Sequence, residues 1–119
     1  MADYNQQLED LLDHHLIANE ELEKKKETNG IGYLLNGNMC IGVYEDLLVA
    51  RIGESLAETL VKKSGIHPYL PDQGLYDDFV MIDENIYSHS KALQKFIEQS
   101  IKYTGSLPPQ NQNQDKLEL

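Results

Sequence analysis

Residues 33–53, YLLNGNMCIGVYEDLLVARIG, decide the fold, because they predict three short strands joined by two tight reversals. Asn36-Gly37 forms the first reversal, since a type I′ turn needs positive φ at both central residues and this pair accepts it at little steric cost. Glu45-Asp46 forms the second reversal. The apolar runs on either side should therefore pair antiparallel. The predicted strands cover about residues 30–35, 39–44 and 47–52.

The third predicted strand is apolar on both faces, which is typical of an internal strand covered on both sides of its sheet. Its apolar residues are Leu47, Leu48, Val49, Ala50 and Ile52. The second strand alternates, and Met39, Ile41 and Val43 are expected to share one of its faces. Helices should cover one side of the sheet, which leaves the other side for a partner.

Amphipathic patterns predict three helices, over about residues 3–17, 54–63 and 89–103. Asp3 and Ser88 are expected to cap the first and the last, and Gly105 should lie just past the end of the last. Residues 19–29 contain one apolar residue, Leu22, and are predicted to form a solvated connection. Two further strands are predicted, a short edge strand near Tyr69-Leu70 and a buried strand at 79–82.

This order of elements predicts an α+β fold, because hairpins without βαβ units cannot give a doubly wound parallel sheet. We expect a two-layer sandwich, α-β(3)-α-β(2)-α, with a mainly antiparallel five-stranded sheet and the helices on one face. Residues 1–109 should form a single domain, since a chain of 119 residues has the usual length of one. Residues 110–119 are polar and are expected to form a flexible tail.

The chain carries ten Lys and Arg against twenty Asp and Glu, and its net charge is −10. This balance disfavours direct binding of nucleic acid, because the surface repels phosphate backbones. Nothing in the sequence resembles a membrane span or a signal peptide. Cys40 is the only cysteine, which excludes an intramolecular disulfide and agrees with a reducing compartment. We therefore expect a cytoplasmic protein with no contact to a membrane.

One family shares this pattern. The pattern consists of GIGYLLNGNMCIGVYEDLLVARIG at 30–53, a following helix, GIHPYLPDQGLYDDFVMID at 65–83 and a helix ending in SLPP. It resembles the TfoX N-terminal domain family. The resemblance extends over about residues 4–109 and implies the same α-β(3)-α-β(2)-α fold. In that family the domain precedes a second, helical domain, which these 119 residues do not contain, so the chain resembles a stand-alone member.

The resemblance also implies a class of function. The family is named for a regulator of natural competence that acts together with a cyclic-AMP-responsive transcription factor. It therefore implies a non-enzymatic regulatory or protein-interaction role, with a transcription regulator as a possible partner. Stand-alone members have no established activity, and no cofactor is implied.

Four residues are candidates for binding a ligand or a partner. Arg51 is the only arginine, and its guanidinium could hold a carboxylate or phosphate, although an internal salt bridge is the favoured interpretation. Tyr33, Tyr44 and Tyr69 are candidates because an amphipathic ring suits a half-buried contact, although ordinary partial burial is the favoured interpretation for each. No residue pattern predicts a catalytic site.

No metal site is predicted either. The adjacent His14 and His15 would diverge by about 100° on a helix, whereas zinc needs three or four converging ligands. Cys40 lies in a predicted strand without a basic neighbour and is expected to behave as a small hydrophobic residue.

Three functional hypotheses follow. The leading hypothesis is a non-enzymatic interaction module that uses the sheet face opposite the helices, most simply as a homodimer. The alternative is a small-ligand-binding protein or weak hydrolase with a pocket among Arg51, Tyr33, Tyr69 and the loop at 67–78. The third is an adaptor that touches a DNA-bound regulator without touching DNA.

Overall fold

The computed structural model describes residues 4–27, 29–69 and 77–110 of the chain. Its helices are α1 (Gln6–Leu16), α2 (Glu54–Leu60), α3 (Glu84–Tyr87) and α4 (Ser90–Gly105). Its strands are β1 (Leu22–Glu27), β2 (Gly30–Leu35), β3 (Asn38–Tyr44), β4 (Leu47–Arg51), β5 (Ile66–Pro68) and β6 (Phe79–Ile82). These strands form one antiparallel sheet in the order β1-β2-β3-β4-β6-β5. The predicted α+β class with an antiparallel sheet is confirmed.

The predicted number of five strands is wrong, because the expected solvated connection contains strand β1. This strand pairs with the whole of β2, from Leu22 opposite Leu35 to Glu27 opposite Gly30. Its side chains are exposed apart from the half-buried Leu22. An edge strand exposed on both faces needs no apolar alternation, and its lysines discourage pairing with a further strand. The sheet therefore has six described strands.

Both predicted reversals are present in the central meander. Asn36 and Gly37 have φ values of 55° and 82°, as the predicted turn requires, and Glu45 has a φ of 54°. The strand register shifts between Tyr33 and Leu34 of β2, so that Cys40 of β3 is left without a cross-strand partner. This β-bulge contradicts the expectation that Met39 shares a face with Ile41 and Val43.

One face of the sheet forms the core with the helices. A cross-strand row of five apolar residues runs through it from β2 to β5, and each is at most 4% exposed. The row consists of Ile31, Val43, Leu48, Ile82 and Ile66. Helix α1 adds Leu8, Leu12 and Leu16 to this core, and α4 adds Leu93, Phe96 and Ile97. The helices thus pack on one face, as predicted.

The ends of the helices differ from the prediction. The predicted last helix is α4, and the short helix α3 before it was not predicted. The Asp83 carboxylate caps α3 by accepting from the Asn85 N–H, and Ser88 does not cap α4. Helix α4 begins after His89 without a side-chain cap and includes Gly105, which was expected beyond its end. Asn5 caps α1. The predicted cap Asp3 lies outside the described residues.

Two other predicted segments fall partly outside the described residues. The short edge strand is β5 at Ile66–Pro68, just before the predicted position, and Leu70 is not described. Residues 111–119 of the predicted tail are not described either. The Gln110 N–H donates a hydrogen bond to the Asn36 carbonyl at 2.7 Å, so the chain returns to the β2–β3 turn after α4. No helix within the described ranges combines the length and apolar character needed to span a membrane.

Replacing Gly37 with alanine tests the turn that starts the meander. Gly37→Ala should lower the free energy of unfolding by about 1–2 kcal/mol, because a side chain is strained at positive φ. The added Cβ would also lie 2.1 Å from the Gln110 carbonyl oxygen. Urea denaturation followed by circular dichroism measures the change.

Gly105→Ala is the matched control for this prediction. Its added Cβ would make an ordinary 3.5 Å contact with Leu35 at the end of α4. We expect no loss of stability, or a gain of about 0.5–1 kcal/mol, since alanine favours the helix. Equal losses in the two variants would contradict the assigned role of the turn.

Candidate functional site

The face of the sheet opposite the helices, called the open face here, carries a groove of about 470 Å³. A second cross-strand row runs along this face through all six strands. The row consists of Lys25, Gly32, Gly42, Val49, Met81 and His67. It is charged or polar at both edges and apolar or glycine in the middle. The open face is therefore an apolar strip between two polar margins.

Glycines form the floor of this groove. Gly32 and Gly42 face each other across β2 and β3, and Gly30 lies beside them. A Cβ added at Gly42 would lie 2.3 Å from the Ile31 carbonyl oxygen, so the two backbones approach too closely for a side chain there. A Cβ added at Gly32 would meet only the Met39 side chain, with its sulfur at 2.7 Å.

Met39 thus lies across the glycine floor. Its position follows from the bulge at Cys40, which turns Met39 onto the open face instead of into the core. The methionine side chain is unbranched and adapts its shape at low cost, which suits a residue that covers a groove. Met39 therefore occupies the space next to Gly32 that a β-carbon at that position would need.

The walls of the groove are apolar, and its rim is charged on one side. Its apolar lining includes Leu34, Met39, Tyr44, Val49, Tyr69 and Phe79. Val49 and Phe79 are buried, Leu34 is half-buried, and Tyr44 is 39% exposed. Lys25 and Glu27 of strand β1 form the charged side of the rim, and both residues are exposed. Contact with an apolar surface is the chemistry that this arrangement offers.

Arg51 is engaged in an internal network at the end of β4. Its Nε donates to the Asp78 carboxylate at 2.8 Å, and the Tyr103 hydroxyl donates to the same oxygen at 3.1 Å. Its guanidinium also packs on the Phe79 ring, 5.0 Å from the ring centre. The internal salt bridge favoured from the sequence is present. Arg51 supports the groove wall through Phe79, but it is not part of the lining.

The structure separates the three candidate tyrosines. Tyr44 and Tyr69 line the groove on the open face. Tyr33 lies on the helical side, where its hydroxyl donates to the Asp13 carboxylate of α1. Tyr33 therefore does not share the predicted pocket with Arg51 and Tyr69, and residues 70–76 of the loop predicted to complete that pocket lie outside the described residues. Sequence reasoning missed the glycine floor, although glycines inside two strands are the signal of a close backbone approach.

A charged cluster joins α1 to β1 and β2 around Lys24. The Lys24 ammonium lies 2.6 Å from a Glu9 carboxylate oxygen and 3.0 Å from an Asp13 oxygen. Partial burial alone would raise the pKa of Asp13, but hydrogen bonds from Tyr33 and Lys24 and the lysine charge together lower that pKa. Burial, and then the bond to Asp13, raise the pKa of Tyr33. These ion pairs connect the edge strand β1 to helix α1.

The depressed pKa of Asp13 predicts a pH-dependent contribution to stability. A carboxyl whose folded pKa lies below its ordinary value of 3.8 stabilises the fold above that value. This stabilisation is lost as the pH falls through the folded pKa. Asp13→Asn should therefore be less stable than the unaltered protein at pH 6, and the difference should shrink towards pH 2.

Urea denaturation at several pH values measures this difference. Asp10→Asn is the matched control, because Asp10 is exposed one turn earlier on α1. We expect Asp10→Asn to follow the unaltered protein at every pH. A stability loss in Asp13→Asn that stays constant from pH 6 to pH 2 would contradict the role of the Asp13 charge.

Cys40 is fully buried beneath α4, and burial raises the pKa of its thiol to about 11. We expect its reaction with a disulfide reagent at pH 8 to be on the order of a hundredfold slower than in the urea-unfolded chain, since the thiolate is the reactive form. Absorbance of the released thiol gives both rates. Equal rates would show that Cys40 is accessible in the folded protein.

In the described part of the chain, no three His, Cys, Asp or Glu side chains are grouped as metal ligands would be. The sequence matches no protein-family model and no curated protein. Its fold is similar to the crystal structure of a protein from Pseudomonas syringae, determined by the Northeast Structural Genomics Consortium. The TM-score is 0.62 at 16% identity, over 84% of this chain and 98% of that chain. At this identity the similarity concerns the fold alone.

Proposed function

We propose that this protein is a non-enzymatic interaction module that binds a second copy of itself through the open face of its sheet. The observation that carries the proposal is the apolar groove with its glycine floor on a face that no described helix covers. A contiguous apolar surface with a polar rim is typical of an association site. Its half-buried side chains would gain burial when a partner covers them.

The charges at the rim favour a second copy as the occupant. Lys25 and Glu27 point to the same side of β1 and both line the groove. In a face-to-face dimer with two-fold symmetry, Lys25 of one copy can lie opposite Glu27 of the other, so the rim is self-complementary. The net charge of −10 opposes contact between copies through most other surfaces. An apolar face with a mixed rim avoids this repulsion.

A regulatory role is part of the proposal and depends on the resemblance to the TfoX N-terminal domain family. That resemblance is an analogy of sequence pattern, and it suggests a transcription regulator as a further partner. The acidic surface agrees with a basic protein partner better than with nucleic acid. A cytoplasmic location remains the expectation from the sequence.

Binding of a small molecule in the same groove is the second candidate function. The volume of about 470 Å³ lies within the usual range for ligand pockets, roughly 300–1,000 Å³. Specific recognition would need convergent polar groups, and the Arg51 guanidinium is paired with Asp78 instead. The predominance of glycine and apolar side chains in the groove favours a protein surface as the occupant, and it offers little to a hydrolytic reaction.

Sedimentation velocity at 5–100 μM tests the proposed dimer. We expect a concentration-dependent dimer, and we expect Leu34→Glu, which places a charge in the groove wall, to weaken it at least tenfold, about 1.4 kcal/mol. Lys25→Glu and Glu27→Lys should each weaken the dimer by juxtaposing like charges. The double variant should restore much of the affinity, because the swapped charges again face each other.

Lys26→Glu is the matched control for Lys25→Glu. Lys26 is the next residue of the same strand and points to the other side, so the net charge changes equally while the rim stays intact. We expect its dimer to match that of the unaltered protein. A monomer throughout the concentration range, or equal effects of the two substitutions, would overturn the proposal.

A further inference from the structure

The helical side of the protein carries a second groove, of about 520 Å³, between α2 and α4. Leu56 and Leu60 form one of its walls, and Ala92 and Phe96 form the other. Each pair is spaced four residues apart, so each presents a row along its helix. Helix α2 has only Ala57 buried, and Leu56 is 36% exposed. The two rows leave an apolar channel open to solvent.

Lysines border this channel. Lys95 and Lys102 line it together with Glu98, and Lys91 lies one turn before Lys95 on α4. At about 100° per residue the three lysines fall within about 40° of one another around the helix, and all three are exposed. The lysines therefore form a stripe parallel to the apolar row on the same helix, interrupted by Glu98 and with a net positive charge.

The charge of this region is opposite to that of the whole chain. Helices α2 and α4 and the turn at 61–63 carry five lysines against three glutamates, whereas the chain has a net charge of −10. The lysines are Lys62, Lys63, Lys91, Lys95 and Lys102. Because the excess of acid lies elsewhere, this region has a local excess of positive charge that can attract an acidic partner.

We propose that the α2–α4 groove binds an acidic amphipathic helix of another protein. Leucines spaced three and four residues apart would enter the apolar channel, and flanking Asp or Glu side chains would face Lys95 and Lys102. This is the helix-in-groove mode of recognition, in which apolar contacts give affinity and charges set the partner and its orientation. A DNA duplex would meet the lysines but would leave the apolar channel unfilled.

The chain's own acidic helix does not serve as this partner, because α1 already buries Leu8, Leu12 and Leu16 in the core. The groove also lies on the side of the sheet opposite the open face. It therefore stays accessible in a dimer formed through the open face, and the proposal does not depend on that dimer. One molecule can contact a second copy and an acidic helix at the same time.

Fluorescence anisotropy with two labelled 16-residue peptides tests this proposal on the full chain. Both peptides carry leucines at helical spacing, and their remaining positions are mainly glutamate in one and lysine in the other. We expect the acidic peptide to bind at least tenfold more tightly than the basic one and to weaken as NaCl rises from 50 to 300 mM. Equal affinity for the two peptides would overturn the proposal.

Two pairs of variants assign the binding to the groove. Leu56→Asp and Lys95→Glu should each weaken binding of the acidic peptide at least fivefold. Their matched controls are Ile17→Asp, at an apolar residue 83% exposed outside the groove, and Lys26→Glu on β1. We expect the controls to stay within twofold of the unaltered protein. Circular dichroism confirms folding, and Lys95→Glu keeps the test decisive should Leu56→Asp fail to fold.

A 16-base-pair DNA duplex completes the design. The protein could bind this duplex and not the acidic peptide, with duplex binding weakened by Lys95→Glu but not by Leu56→Asp. That result would overturn the proposed helix site and would indicate a nucleic-acid-binding surface instead. Sedimentation of Leu56→Asp should give the same oligomeric state as the unaltered protein. A failure of the peptide experiment is thereby distinguished from a failure of the dimer proposal.

Discussion

The pairing of β2 with β3 is the constraint on which the rest of the structure depends. The turn at Asn36 and Gly37 sets where the pairing begins, and the bulge at Cys40 then shifts the register by one residue of β3. Beyond the bulge, Ile41 and Val43 face the core, whereas Met39 faces the other way. A one-residue change of register reverses the face of every later side chain, so this short stretch decides the composition of both faces of the sheet.

The two faces stabilise the protein in different ways. The helical face is held by apolar burial and by the charged cluster that joins Lys24 to Glu9 and Asp13 across α1 and β1. No described helix covers the open face, where Met39 lies over Gly32 and Gly42 and where Val49 and Phe79 line the groove. In the dimer that we propose, the half-buried side chains of this face would gain further burial. The basic groove between α2 and α4 adds a second, chemically distinct surface on the other side.

Much of the fold could be predicted because it is encoded locally. The Asn-Gly turn and the strand at Phe79–Ile82 lie where the pattern placed them, since turn stereochemistry and apolar runs depend on adjacent residues. Strand β1 could not be predicted from apolar alternation, because an exposed edge strand is specified by the strand it pairs with and not by burial of its own side chains. Helix α3 was missed because its four residues are too few to show an amphipathic period.

The sequence by itself determined the central meander, the α+β class, the amphipathic helices and the acidic charge, because each follows from the preferences of neighbouring residues. The tertiary structure alone decided which candidate residues meet. Tyr33 and Tyr69 lie on opposite faces, and Arg51 pairs with Asp78, 27 residues further along the chain. These relations depend on β6 pairing beside β4 and on the register around the bulge at Cys40. Contacts between distant segments depend on how all the elements of the chain pack around one core, so the residue pattern of a single segment does not predict them.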